Sequence, residues 1–273
     1  MQQFIMFFVC FLRRRLPYVG LLFLLFLAAS SLANAVECPR PAGKPIPREQ
    51  LHLYLLMGQS NMAGRGKMTA EDRQPVDGVF MLDAKNAWQP AGHPLHFDKP
   101  HVAGVGLGLD FAQGMREHDH DAVIGLIPCA VGGTRLGQWK PGGNLYDQAL
   151  VRAKVAARCG VLRGVLWHQG ESDSPPKLAQ DYAQRLGELV AQLRKDLDSP
   201  VLPIVVGEIG HFRVRHPSDL INRQLQQFVK QTPNAACATA EDLDHNGDET
   251  HFDASSLKEF GRRYGAKMIE LQR

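Results

Sequence analysis

A short polar segment directly follows the first apolar run after the leader-like N-terminus. Residues 51–57 read LHLYLLM, and Gly58, Gln59, Ser60 and Asn61 come next. An apolar run closed by a glycine predicts a buried strand that ends abruptly. In open α/β sheets, the side chains that do chemistry lie at the carboxyl ends of such strands. Ser60 therefore fits either a nucleophile or a helix N-cap, and this segment alone leaves both interpretations open.

An acid and a histidine stand close together near the end of the chain. The segment DLDHNGDETHFD places Asp248 three residues before His251. A serine hydroxyl is a weak nucleophile and needs a base within hydrogen-bond reach. A histidine suits this role when a carboxylate on its other ring nitrogen fixes the tautomer. Ser60, Asp248 and His251 are therefore a candidate catalytic triad for attack on an acyl carbon.

Two further segments carry groups that such a reaction requires, because the oxyanion that develops needs preorganised donors. PCAVGGTRLGQW contains the Gly132–Gly133 turn, and WHQGESD contains Gln169 and Glu171. We expect the backbone N–H groups of Ser60 and of the glycine turn to donate to the oxyanion, without a choice between Gly132 and Gly133. The side-chain amide of Gln169 is expected as the third donor.

The elements that must position these residues follow from the hydrophobic pattern. Apolar runs predict strands at 51–57, 122–128, 162–168, 201–208 and 235–240. Helical spacing predicts helices at 106–118, 145–159, 178–197, 218–232 and 255–271. Strands that alternate with helices predict an α/β fold with a parallel sheet of about five strands, covered on both faces. The candidate residues then share one edge of this sheet, and residues 62–105 form a long insertion around a short strand at 79–82.

The first 35 residues have the pattern of an export signal. Two apolar runs flank an arginine cluster at 13–15, and residues 33–35 form an A-x-A cleavage pattern. The second run is shorter than the roughly 20 residues of a membrane span. We therefore expect a cleaved signal at 1–35, a single domain at 36–273 and a secreted or periplasmic protein without a stable membrane partner. An uncleaved signal anchor is the alternative.

The charge of the remaining chain argues against nucleic acid as a partner. Residues 1–35 contain three arginines and no acidic residue, so their removal lowers the formal net charge from +3 to zero. Nucleic-acid binding requires a basic surface, which this composition does not provide. The pattern does not predict an oligomeric state.

Four cysteines remain after the predicted signal, namely Cys38, Cys129, Cys159 and Cys237. Export permits one or two disulfides, but the spacing does not determine the pairing. Cys129 and Cys237 adjoin apolar runs and equally fit buried free thiols.

Four ordered blocks, GQSNMAGRG, GGTRLGQW, WHQGESD and DETHFD, resemble the sialate O-acetylesterase/acetylxylan esterase-like branch of the SGNH hydrolases. The resemblance spans essentially the whole mature chain. It implies a three-layer α/β/α flavodoxin-like fold and removal of acetyl esters from carbohydrates without a cofactor. It also implies that Ser60 is the nucleophile and that His251 is the base.

The resemblance departs from the SGNH pattern at one position. The asparagine that gives these enzymes their name is absent, and Gln169 stands in its block, as it does in this branch. Glu171 of the same block is the alternative partner of His251, so the triad acid is either Asp248 or Glu171. Arg65, Arg135 and Trp139 are further candidates for lining the substrate site. The two arginines either contact the substrate or pair with nearby acids, and Trp139 fits equally a core residue and a face for a sugar ring.

Other functions stay open on the sequence alone. A run from Asp242 to Asp253 mimics a calcium loop, but its twelfth residue is Asp instead of the usual bidentate Glu, so we expect no metal. The alternatives are a noncatalytic carbohydrate-binding or calcium-stabilised domain, or a lipase or thioesterase of the same fold. The acetylated saccharide, whether xylan, sialic acid or another glycan, is not predicted.

Overall fold

Seven strands form a single sheet in the unit that comprises Glu37–Arg273. In chain order they are β1 (Leu51–Gly58), β2 (Val79–Leu82), β3 (Trp88–Pro90), β4 (Val123–Pro128), β5 (Val161–His168), β6 (Ile204–Gly207) and β7 (Ala235–Ala238). Across the sheet the order is β3-β2-β4-β1-β5-β6-β7, and all neighbours are parallel except β2 and β3. The computed structural model describes residues 36–214 and 218–273, and the predicted signal lies outside the described residues.

Seven α-helices accompany these strands within the described ranges. They are α1 (Ser60–Ala63), α2 (Gly108–His118), α3 (Asn144–Ala156), α4 (Pro176–Ala179), α5 (Tyr182–Asp196), α6 (Asp219–Gln231) and α7 (Ala254–Gln272). In the same part of the chain, no helix combines the length and the apolar character needed to cross a membrane.

The central strand β1 is buried on both faces. Successive strand residues point to opposite faces, and Leu53, Tyr54, Leu55 and Leu56 are all 0% exposed. On one face, the Tyr54 ring packs edge-on against Phe111 of α2, with 4.8 Å between the ring centroids. An apolar strand with both faces covered is typical of a parallel sheet between helical layers. The predicted α/β fold class is therefore confirmed.

Three differences from the predicted elements are the largest. The sheet has seven strands instead of about five, because β2 and the three-residue β3 extend it through an antiparallel pair. The predicted strand at 201–208 starts only at Ile204, since Leu202 still donates to Ser199 in a turn. The predicted helix at 178–197 is two helices, α4 and α5.

A disulfide ties the N-terminal arm to the sheet. Cys38 is bonded to Cys159, which lies just before β5, while Cys129 and Cys237 are free thiols. This pairing was open in the sequence. The bond spans 121 residues of sequence and fixes the arm beside the strand that carries the WHQGESD block.

The end of β1 sets the position of the candidate nucleophile. Gly58 has φ +130°, and a Cβ at this position would lie 2.0 Å from the carbonyl oxygen of His168 on β5. Only glycine tolerates that approach. Gln59 then donates its backbone N–H to the same His168 oxygen at 2.9 Å. The first residue of α1, Ser60, is thereby held where β1, β4 and β5 end side by side.

Candidate active site

The structure brings Ser60, His251 and Asp248 into one hydrogen-bonded row. Ser60 Oγ lies 2.9 Å from His251 Nε2, although the two residues are 191 positions apart. On the other side of the ring, His251 Nδ1 lies 2.6 Å from Asp248 Oδ2. The imidazole thus has a hydroxyl on one nitrogen and a carboxylate on the other, which is the arrangement that a histidine base requires.

The turn between β7 and α7 holds the acid and the histidine together. Asp248 Oδ1 accepts the backbone N–H of Thr250 at 2.9 Å and that of His251 at 2.7 Å. Burial raises the pKa of Asp248, but these N–H groups and the imidazole outweigh it, so the pKa lies below its ordinary value. The carboxylate is therefore ionised at neutral pH, and it orients the backbone and the imidazole at once.

The alternative acid, Glu171, does not contact His251 through any hydrogen bond of the described residues. Its Oε1 accepts the side-chain N–H of Asn61 at 2.5 Å and lies 3.4 Å from His168 Nε2. Burial raises the pKa of Glu171, but His168 and the Asn61 amide outweigh it and lower the pKa to about 2. Glu171 is a buried carboxylate behind the nucleophile. Of the two candidates, the geometry favours Asp248 as the partner of His251.

His168, at the end of β5, belongs to the core. It is 0% exposed and packs edge-on against Phe260, with 5.3 Å between centroids. Its Nδ1 lies 3.1 Å from the hydroxyl of Tyr264, which donates to the carbonyl oxygen of Trp167. The single hydroxyl proton of Tyr264 is thereby used, so His168 Nδ1 must be the donor to the Tyr264 oxygen.

In the glycine turn after β4, one N–H is engaged, and the other has no recorded acceptor among the described residues. Gly132 donates its N–H to Asp98 Oδ2 at 2.7 Å, and Arg65 Nη2 lies 2.8 Å from the same oxygen. Burial raises the pKa of Asp98, but Gly132 and Arg65 outweigh it and lower the pKa. The N–H of Gly132 is therefore already hydrogen-bonded to the carboxylate of Asp98. Gly133, with φ +80°, is the next residue at the cavity, and the contacts favour its N–H as the glycine donor.

The predicted third donor, Gln169, is turned away from the site. The side chain is 0% exposed, and its Nε2 donates to Asp173 Oδ2 at 2.8 Å, to Gln59 Oε1 at 3.0 Å and to the Thr134 carbonyl at 3.1 Å. Gln169 does not line the cavity at Ser60. The expectation that its amide reaches the oxyanion is therefore corrected, because protein acceptors already use both of its hydrogens.

Gln59, which the sequence pattern did not single out, lies between Gln169 and the cavity. The carboxylate of Asp173 only accepts, so the end of the Gln169 amide beside it must be Nε2. The atom of Gln59 that meets this donor must then be Oε1. The Nε2 end of Gln59 is left for the cavity, which Gln59 lines. The only signal in the sequence was its position directly before the nucleophile.

The three candidate substrate-lining residues lie in different environments. Arg65 lines the cavity, but its guanidinium pairs with Asp98. Arg135 is exposed and lies outside the cavity lining. For Trp139 the core alternative holds and the substrate-lining one does not, because the indole is 0% exposed and packs edge-on against Trp167 with 5.6 Å between centroids. A buried indole has no face to offer to a sugar.

A cavity of about 580 Å³ opens at Ser60. This volume suits a small ligand or one unit of a larger one. Beside the Ser60–His251–Asp248 row, most of its lining residues are of polar types. The other lining residues are Gln59, Arg65, Lys99, Val102, Gly132, Gly133, Glu171, Ser172, Arg213, Asn246 and Thr250.

Residues of the calcium-like run form capping and turn hydrogen bonds at the start of α7. Asp253, its twelfth residue, is the N-cap of α7 and accepts the backbone N–H of Ser256 at 2.7 Å. The hydroxyl of Ser256 in turn accepts the N–H of Asp244 at 2.8 Å. In residues 36–214 and 218–273, no three His, Cys, Asp or Glu side chains form a group that fits a metal.

Comparison with known proteins gives a family match and a relative above 30% identity. A family model described as "Carbohydrate esterase, sialic acid-specific acetylesterase" matches residues 50–270. The chain is 32% identical over 238 residues to the probable carbohydrate esterase At4g34215 of Arabidopsis thaliana. This alignment covers 80% of this chain and 89% of that protein.

Solved structures show the same fold. The X-ray structure of the Arabidopsis protein matches with a TM-score of 0.75 at 30% identity, over 81% of this chain and 98% of that chain. NanS matches with a TM-score of 0.68 at 17% identity, over 84% and 99% of the two chains. XAC1771 of Xanthomonas citri, a carbohydrate acetylesterase, matches with 0.61 at 16% identity, over 81% of this chain and 56% of that chain.

Proposed function

We propose that this chain, which belongs to the carbohydrate esterase family of sialic acid-specific acetylesterases, removes O-acetyl groups from saccharides through an acyl-enzyme on Ser60. Membership of the family makes the chain a carboxylic ester hydrolase. The proposed acyl-enzyme mechanism rests on the row of contacts at the cavity, from Ser60 Oγ through His251 to Asp248.

The first half of the reaction transfers the acetyl group to the enzyme. His251 Nε2 takes the proton of Ser60 Oγ while this oxygen attacks the acetyl carbonyl carbon. The imidazolium that forms is stabilised by Asp248 on its other nitrogen. The tetrahedral intermediate then expels the sugar oxygen, which receives its proton from His251, and an acetyl ester remains on Ser60.

The second half releases acetate. A water molecule attacks the acetyl-Ser60 ester while His251 Nε2 accepts one of its protons. Collapse of the second tetrahedral intermediate breaks the ester bond, and the proton returns to Ser60 Oγ. One water is consumed, and acetate and the deacetylated sugar are formed.

In this proposal, three donors stabilise the oxyanion in both halves. The N–H of Ser60 is at the first position of α1, where no intrahelical acceptor exists. The N–H of Gly133 and the Nε2 of Gln59 are the others at the cavity. Donors held by the fold need no reorganisation during the reaction, which is why each is typically worth about a hundred- to thousand-fold in rate.

The cavity favours a polar substrate over a fatty acyl chain. Among the lining residues, Val102 is the only aliphatic one with a branched side chain, and cationic groups come from Lys99 and Arg213. This lining supports an acetylated saccharide, including one that carries a carboxylate, over the lipase or thioesterase alternative. A noncatalytic domain would not require the hydrogen-bonded row at Ser60.

A substrate panel tests the proposal. Acetate release is measured from acetylated xylan, O-acetyl sialic acid and p-nitrophenyl acetate. Release of p-nitrophenol from p-nitrophenyl palmitate measures the activity on a fatty ester. We expect turnover of acetyl esters and little turnover of palmitate, with Ser60→Ala as the inactive control. Equal activity of wild type and Ser60→Ala, or a preference for palmitate, would contradict the proposal.

Export is proposed on two grounds. The A-x-A pattern ends at Ala35, and the Cys38–Cys159 disulfide is of a kind that persists in oxidising compartments. N-terminal sequencing of the protein recovered outside the cytoplasm should give Val36 as the first residue. An intact Met1 in that fraction would instead indicate the uncleaved signal anchor.

A further inference from the structure

Asn61, the residue after the candidate nucleophile, connects three separate segments. The side chain is 0% exposed. Its Nδ2 donates to Glu171 Oε1 at 2.5 Å and to the carbonyl oxygen of Thr250 at 3.1 Å. Its Oδ1 accepts the backbone N–H of Phe252 at 3.1 Å. The two backbone groups belong to the residues immediately before and after His251.

The chemistry of the partners determines which way the Asn61 amide faces. A carboxylate and a carbonyl oxygen can only accept, so the end of the amide that meets Glu171 and Thr250 must be Nδ2. A backbone N–H can only donate, so the end that meets Phe252 must be Oδ1. All three contacts agree on one orientation, and both amide hydrogens are used.

The position of His251 depends on these contacts. The imidazole is carried by a turn whose outer anchor is Asp248, and Asn61 holds the same turn from the side of the core. Asn61 follows Ser60 directly, so one short segment carries the hydroxyl and grips the backbone on both sides of the base. Misplacement of a reacting group by about 1 Å can cost roughly a hundred-fold in rate.

We propose that Asn61 is a positioning residue that sets the distance between His251 Nε2 and Ser60 Oγ, and that Glu171 serves it by holding its amide. This inference rests on the proposed function. Asn61 does not line the cavity, so it acts on the reaction through His251 and not through the substrate.

Buried groups behind Glu171 support this assignment. On the side of the core, His168 Nε2 lies 3.4 Å from Glu171 Oε1, the same oxygen that accepts the Asn61 amide. Glu171 is 6% exposed and does not contact the imidazole of His251. The carboxylate of Glu171 therefore has a role in fixing the side-chain amide of Asn61. This role accounts for an acidic residue in the WHQGESD block that is not the triad acid.

The test is Asn61→Ala with Asn222→Ala as the matched control. Asn222 is 7% exposed and bridges backbone groups in the same way, with Oδ1 accepting the N–H of Ile209 at 2.9 Å and Nδ2 donating to its carbonyl at 3.1 Å. We expect Asn61→Ala to lower kcat on p-nitrophenyl acetate about a hundred-fold with KM changed less than about three-fold. Asn222→Ala should lower the Tm similarly and leave kcat within about two-fold.

A double-mutant cycle with His251→Ala separates positioning from general damage. If Asn61 acts through His251, Asn61→Ala should have no further effect on the residual rate of His251→Ala. Additive losses, an unchanged kcat in Asn61→Ala, or an equal kcat loss in Asn222→Ala would each overturn the inference. If Asn61→Ala does not fold, Asn61→Ser, which retains one polar group, is measured with the same expectations.

A spectroscopic readout makes the outcome independent of catalysis. The proton between His251 Nδ1 and Asp248 should give a low-field ¹H NMR signal that shifts or broadens in Asn61→Ala and persists in Asn222→Ala. An unchanged signal in Asn61→Ala would overturn the positioning role. If the wild type hydrolyses no ester, the proposed function fails, and this signal alone decides whether Asn61 positions His251.

Discussion

The carboxylate of Asp248 lies 2.6 Å from His251 Nδ1, and it accepts the backbone N–H of the same residue at 2.7 Å. Asp248 thus holds His251 by both its ring and its main chain. Glu171, the other candidate acid, holds Asn61 instead.

This difference predicts unequal effects of two isosteric substitutions. Asp248→Asn should lower kcat about a thousand-fold or more, because the amide stabilises neither the required tautomer nor the imidazolium. Glu171→Gln should cost about ten-fold, since Glu171 reaches His251 through Asn61 and otherwise only lines the cavity. Steady-state kinetics on p-nitrophenyl acetate compare the two. A larger loss in Glu171→Gln would reverse the assignment of the acid.

Ser60 and His251 should act as one unit. Ser60→Ala and His251→Ala are each expected to abolish most of the turnover, and the double variant should be little slower than either single one. The Tm of Ser60→Ala should stay close to that of the wild type, because only one hydroxyl is removed. Multiplying losses in the double variant would mean that the two side chains serve separate steps.

Gln59 should behave as an oxyanion donor. Gln59→Glu keeps the shape of the side chain and an acceptor for Gln169, but it replaces the donor at the cavity by a carboxylate oxygen. We expect kcat to fall at least about a hundred-fold with a small change in Tm. Gln138→Glu, an exposed substitution of the same type outside the cavity, is the control for added charge. Full activity of Gln59→Glu would remove this donor from the mechanism.

Glu171 should link stability to acid pH. Its pKa of about 2 lies below the ordinary 4.5, so the unfolded chain takes up this proton first as the pH falls. The stabilisation is therefore present above about pH 4.5, on the order of 3 kcal/mol, and is lost as the pH approaches 2. Thermal unfolding of wild type and Glu171→Gln should show a Tm difference that narrows over this range. A constant difference would disprove the linkage.

The disulfide should stabilise the fold without taking part in catalysis. A closed loop of 121 residues predicts a loss of about 4–5 kcal/mol in the free energy of unfolding when Cys38 and Cys159 are both replaced by serine. Denaturant unfolding measures this loss, and kcat at 25 °C should be unchanged. Cys237→Ser, which removes a free thiol, is the control. An equal loss in the control would show that the disulfide adds nothing specific.

Local patterns in the sequence determined the order of the elements and the candidate chemistry. Alternating strand and helix patterns are properties of short windows, so the parallel α/β class could be predicted, and the family resemblance that the four blocks suggested is confirmed. The three-residue spacing of Asp248 and His251 is equally local. A strand that ends in glycine placed Ser60 at the productive edge of the sheet.

Only the tertiary structure decided which groups face the cavity. The choice between Gln169 and Gln59 depends on Asp173 and on a contact between residues 110 positions apart, and no periodicity reports which acceptor an amide hydrogen will meet. The sequence left Trp139 open between the core and the substrate site for the same reason, since its burial involves Trp167 on another segment. Glu171 and Asn61 likewise acquire their roles from partners distant in sequence, because hydrogen bonding in a buried site is settled by three-dimensional proximity and not by residue type.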